Sequence, residues 1–243
     1  MRRMMSAGRK VEKAFTLTEL LIVIGIIAII AILAGVEPPM PGSKTTAKKH
    51  IAQSEESSLV AAINQYYVVY GHLPASSNAV TAAGTNDFTF GTVSRTPVGS
   101  GRLSSITVDT IGENTYQNYN SEVITILRDD NFWPEVNKGT QHIYNPQQTL
   151  FFGAKAAPDT NSPGIGPDDV FRDPWGNPYI ITLDLNQDHK CYDATLDGLH
   201  KLENPKPTGP LMVPGEAILW SFGPSKTIKP GQPLSKQTII TSF

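Results

Sequence analysis

Cysteine is all but missing from this chain: Cys191 is the one thiol in 243 residues. No intrachain disulfide can form, so a disulfide scaffold is excluded, as are zinc sites built from several thiolates. An excess of basic residues is missing too. The formal net charge is −2, unevenly spread: the first fourteen residues carry five basic side chains and one acidic (+4), the rest fifteen and twenty-one (−6). A mildly acidic body has no electrostatic footprint for nucleic acid, and no such partner is expected. Long apolar runs are absent with one exception. Leu20 to Val36 (LLIVIGIIAIIAILAGV) holds no charge, and the sequence after it is polar and rich in Gly and Pro.

Catalytic patterns are lacking as well. His50, His72, His142, His189 and His200 show no HExxH or other metal-ligand spacing. There is no nucleophile elbow, phosphate loop or dinucleotide fingerprint. Cys191 and His189 would share a face of a strand, but an idle or buried cysteine is the plainer reading. Trp133, Trp175 and Trp220 would line a sugar-binding face only if they escaped the core, which is the default place for tryptophan. No enzymatic activity is expected.

The apolar run admits three readings. A secretory signal peptide would be cut after it at a small-x-small site. Ile32 and Leu33 stand where small residues would be needed, and a lipoprotein cysteine is missing at Gly35 and Val36. A plain signal anchor of 17 residues would reach about 25 Å, marginal against a hydrocarbon core of about 30 Å. The third reading starts from KAFTLTELL, Lys13 to Leu21, which joins the basic leader to the run.

This string resembles the signal of type IV pilins and pseudopilins: a basic leader, a small residue, Phe, a glutamate four residues on, then an apolar helix. Two positions depart from the usual pattern, Ala14 for Gly before the cut and Thr18 for an apolar residue before the glutamate. The resemblance implies cleavage by a prepilin peptidase between Ala14 and Phe15, with Phe15 the new and N-methylated terminus. Residues 15–36 would then span about 33 Å as a helix, enough for a bilayer. Glu19 is the residue a bland anchor has no use for, because a carboxylate within a membrane segment is costly and marks function. In the family that glutamate meets the N-terminal amine of a neighbouring subunit. Five basic residues precede the helix and Lys44, Lys48 and Lys49 follow it, so a cytoplasmic N-terminus is favoured.

Beyond the run, Glu37 to Ser43 (EPPMPGS) has three prolines and marks a break. Helical spacing resumes over Ala47, Ile51, Leu59, Ala62, Ile63, Tyr66 and Tyr70, with Gly71 as cap and Pro74 as stop. A helix is predicted from about Ser121 through Ile124 and Leu127. Another is predicted to open at Asn145, with Pro146 at its first position, Gln148 closing a capping box, and Leu150, Phe151 and Phe152 buried. Asp173-Pro174-Trp175-Gly176 fits a type I turn, and strands are predicted at Tyr179–Leu183 and Ala217–Phe222. The strings DPWGNPY and WSFGP are similar to the C-terminal sheet of the major pseudopilins of type II secretion. Residues 75–171 exceed what that family's core needs.

Asp184, Asn186 and Asp188 alternate as oxygen ligands at positions one, three and five of a calcium-type loop, with the Lys190 carbonyl at seven. Against this, His189 holds the sixth position, where Gly is wanted, and Thr195 the place of a bidentate Glu; Asp193 or Asp197 would have to complete the shell. A solvated Asp/Asn turn is the competing reading. The fold class expected is α+β and pilin-like: a transmembrane and filament helix, a second helix, then a small antiparallel sheet. The expected organisation is a cytoplasmic leader over 1–14, the membrane and filament-core helix over 15–36, a proline-broken linker and amphipathic helix over 37–74, and a periplasmic domain over 75–243, with a variable insertion around 75–171. The resemblance implies a structural subunit of a type II secretion pseudopilus in the inner membrane. Its partners would be other pseudopilins in a homo- or hetero-oligomeric filament, the prepilin peptidase, an inner-membrane assembly platform and inner-membrane lipid. The alternatives are a surface type IV pilus subunit, or a membrane-anchored calcium-dependent binding domain or hydrolase.

Overall fold

The computed structural model describes residues 16–33, 43–91, 108–111, 114–117, 119–130, 142–226, 228–229 and 231–243. The leader, the cleavage pair Ala14 and Phe15, the proline-rich break and Trp133 lie outside the described residues. The chain forms two units, Met1–Lys44 and Thr45–Phe243.

In the first unit, α1 (Leu17–Leu33) is a helix of 17 residues. It is apolar all round, and Leu17, Leu21, Ile24 and Ile27 are each more than half exposed. Such a helix has no polar face to give to water and needs an apolar surrounding from elsewhere. Among the described residues no helix is long and apolar enough to cross a membrane.

The second unit is α+β. Helix α2 (Ser43–Tyr70) ends at Gly71, whose φ of +71° and amide bond to the Tyr67 carbonyl (2.8 Å) make the expected left-handed cap. After α3 (Ser77–Ala83) come β1 (Phe88–Phe90), β2 (Val108–Ile111), β3 (Asn114–Gln117) and α4 (Ser121–Arg128). Then follow β4 (Gly164–Ile165), β5 (Phe171–Arg172), β6 (Ile180–Leu183), β7 (Lys190–Tyr192), α5 (Ala194–Glu203), β8 (Met212–Pro214), β9 (Ala217–Ser221) and β10 (Ile240–Thr241). The main sheet runs β10-β9-β6-β1-β3-β2. All its pairings are antiparallel except the parallel one between β1 and β3. Residues 75–171, more than the resembling family's core needs, supply half the strands of the main sheet as well as α3 and α4, the last of these the helix expected from Ser121.

Alternation along β6 and β9 serves two cores. Ile181, Leu183, Ala217 and Leu219 join Leu59, Ile63 and Tyr66 of α2 and Val123, Ile124 and Leu127 of α4. Ile180, Ile218 and Trp220 turn the other way, onto Cys191, Leu196 and Val213. Both faces of these strands are thus covered, which is why every residue of each is buried and only Thr182 and Ser221 among them are polar.

One predicted helix is absent. Residues 145–152 form a turn and an irregular stretch. Asn145 Oδ1 accepts from the Thr149 amide (3.1 Å) and the Tyr70 hydroxyl (2.6 Å), while its amide nitrogen donates to the carbonyls of Thr149 and Ile126. The side chain closes a loop where a cap would have opened a helix, and Gln148 sits at φ +53°. Phe151 and Phe152 are buried as expected; Leu150 is exposed.

Candidate functional sites

The N-terminal candidate is built by four consecutive residues. The Thr16 amide and hydroxyl donate to Glu19 Oε2 (2.9 and 2.8 Å), and the Glu19 amide donates to Thr16 Oγ1 (3.3 Å). This is a reciprocal capping box at the start of α1, legible in the spacing Thr-x-x-Glu but not anticipated above. It orients the carboxylate toward the chain's N-terminal side. Glu19 remains exposed, so a partner from outside can reach it.

Asp184, Asn186 and Asp188 share one loop after β6. Asp184 is fully buried, and its oxygens accept the amides of Asp188 (3.2 Å) and His189 (2.7 Å). Asn186 Oδ1 accepts the Asp188 amide and Asp188 Oδ1 the Lys190 amide, both at 3.0 Å. Each side chain therefore caps its own turn. His189 has φ +60°, the left-handed backbone that the sixth position of a calcium loop requires. Asp193 and Asp197 are engaged elsewhere. Asp193 caps α5 and accepts Trp220 Nε1 (2.9 Å), whereas Asp197 accepts from Tyr192, Leu211 and Lys201.

His189 and Cys191 do not form a pair. The imidazole meets Glu216 at 2.7 Å, and that carboxylate raises its pKa. The Cys191 thiol lies buried toward the carbonyls of Thr182 and Gly215, and burial pushes its pKa up, away from thiolate character. Trp220 is fully buried, and Trp175 lies beneath the Lys48 ammonium, 5.8 Å from the ring centroid.

The two C-terminal strings that carried the resemblance meet in space. Asp173 accepts the Gly176 amide at its carbonyl (2.8 Å), closing the expected turn, and its carboxylate accepts the amides of Trp175 and Asn177. The Asn177 side chain then donates to the Gly223 carbonyl (2.9 Å), and Ile180 of β6 pairs with Trp220 of β9. Beside this turn sits a group that sequence reading missed. Glu56 of α2 is fully buried, and neither oxygen has a hydrogen-bond partner among the described residues. Burial, with Asp173 and Glu55 nearby, raises its pKa to about 9. Glu55 is partnered, accepting from the Tyr179 hydroxyl at 2.6 Å.

Residues 9–35 match the family described as the prokaryotic N-terminal methylation motif. No curated protein and no solved structure matches the chain. The match supports a type IV pilin-like protein, and a motif of this type implies processing by a prepilin peptidase and assembly into a filament.

Proposed function

We propose that this chain, pilin-like in its N-terminal methylation motif, is a structural subunit of a type II secretion pseudopilus that assists export of folded proteins. The observation that carries the reading is the pairing of that motif with α1, an apolar helix with no polar face that presents Glu19 in its first turn. Cut between Ala14 and Phe15, the chain would place a new amine four residues before Glu19. In a stack of subunits, the amine of one copy would neutralise the carboxylate of the next, satisfying in the polymer a charge that is costly in lipid alone. A single pass through the inner membrane, with the second unit in the periplasm, follows from the same reading. The likeness of DPWGNPY and WSFGP to major pseudopilins favours secretion over a surface pilus.

Glu19→Ala tests it. The variant should insert and be processed, since removing the charge lowers the cost of residing in lipid. As the sole copy it should form no filaments and leave secreted proteins in the periplasm. Normal assembly would overturn the role of Glu19. Lost adhesion or motility with intact secretion would move the chain to the surface-pilus class.

Calcium belongs to the proposal as the ion that Asp184, Asn186 and Asp188 would take, because an oxygen that accepts one amide keeps a second lone pair. The detergent-solubilised chain should melt at higher temperature as calcium rises, and Asn186→Ala with Asp188→Ala should abolish the rise. A curve indifferent to calcium and chelator reduces the loop to a polar turn.

A further inference from the structure

The same corner of the domain holds a second donor set that is not a calcium set. Asp184 at the end of β6, His189 in the loop before β7 and Glu216 before β9 each bring one ligand atom within 4.8 Å of the others. They come from three segments tied by backbone hydrogen bonds. The Asp184 amide donates to the Glu216 carbonyl and the Gly215 amide to the His189 carbonyl, both at 3.0 Å. The positions of the three residues are therefore set by the sheet.

Charge at this corner is unbalanced. Asp184 is fully buried without a cationic side chain of its own. Asp87, just before β1, lies near enough for the two carboxylates to repel. Asp87 Oδ2 accepts the Tyr192 amide (2.6 Å), but its Oδ1 is buried with no partner among the described residues. Burial first, and the field of Asp184 and Asp188 after it, push Asp87 up to about 6. The His189 imidazole meets Glu216 and lies in the field of Asp184 and Asp188, and its side chain is 72% exposed. The amides of Asp188 and His189 hold the buried Asp184 carboxylate, and a cation would add the positive charge that hydrogen bonds alone do not supply.

We propose that Asp184, His189 and Glu216 bind a divalent transition-metal ion of the zinc class, with Asp87 behind them as a half-buried anionic support. An imidazole nitrogen with two carboxylate oxygens and a water suits zinc, whereas calcium takes six to eight oxygens and has little use for imidazole. Bonds of about 2.0–2.1 Å in a tetrahedron put ligand atoms about 3.3 Å apart. The His189–Glu216 contact of 2.7 Å has only to open slightly, and the exposed ring is free to move. The ion would join the β6–β7 loop to the turn before β9. It competes with calcium for Asp184 alone and does not depend on the filament reading.

The test uses the full chain in detergent, stripped with chelator and titrated with zinc chloride or calcium chloride, following heat of binding and melting temperature. Zinc should bind at one ion per chain and raise the melting temperature. His189→Asn, chosen because Asn tolerates φ near +60°, and Glu216→Gln should each weaken zinc binding at least about tenfold. Asn186→Ala with Asp188→Ala should weaken zinc binding far less than either of those, and X-ray absorption of the zinc-bound chain should show an imidazole ligand. Absence of zinc binding, or an affinity that His189→Asn and Glu216→Gln leave intact, would overturn the site.

Discussion

Glu56 occupies a slot that the period of α2 reserves for an apolar side chain. Ala52, Glu56, Leu59, Ile63 and Tyr66 are all fully buried and follow one another at spacings of four, three, four and three. The carboxyl gains nothing there as an anion, so the folded state keeps its proton to about pH 9. The unfolded chain releases that proton near 4.5. Between those values the folded state binds more protons, so stability falls as pH rises, by at most about 1.4 kcal/mol per unit for one group. Glu56→Met should therefore raise the urea midpoint at pH 8 and flatten its fall between pH 6 and 8; an unchanged slope would show that Glu56 is ionised in the fold. The slot was legible from spacing alone, had acids been counted along with the apolar residues. The partner of Glu216 was not, because nothing in the sequence sets His189, 27 positions away, opposite it across a turn.

At the scale of elements, the turn Asp173–Gly176 fixes the entrance to β6. Gly176 takes φ +87°, and a Cβ there would collide with the Asn161 carbonyl oxygen. Gly176→Ala should cost about 2 kcal/mol or more, from backbone strain and displacement of the facing loop, and should show as a lowered urea midpoint. An unchanged midpoint would mean that the facing loop yields freely. Helices α2 and α4 and strands β6 and β9 were readable because each is long enough to show a helical period or a run of apolar and β-branched residues. Strands of two or three residues, such as β4, β5 and β10, have no period to read. The failed helix at Asn145 shows the limit of local signals. Asn is as good at closing a loop as at capping a helix, and Tyr70 and Ile126, both distant in sequence, decided which.

For the whole molecule, the N-terminal motif says more than the rest of the chain, because its chemistry is local and needs no tertiary context. Intact mass of the protein from membranes with active prepilin peptidase should show loss of the fourteen residues before Phe15 and gain of one methyl group. A terminus at Met1 or near Gly35 would remove the basis for filament assembly. The domain beyond it is harder to read, since its sheet gathers strands from Phe88 to Thr241. One by-product of that gathering is practical. The single thiol of the chain, Cys191, lies between β6 and the turn before β9, shut off from solvent. An alkylating reagent can reach it only when that part of the domain opens, so the rate of labelling at Cys191 is a clock for opening in living cells. Each copy of the chain thus carries its own gauge of whether this domain stays folded in the cell.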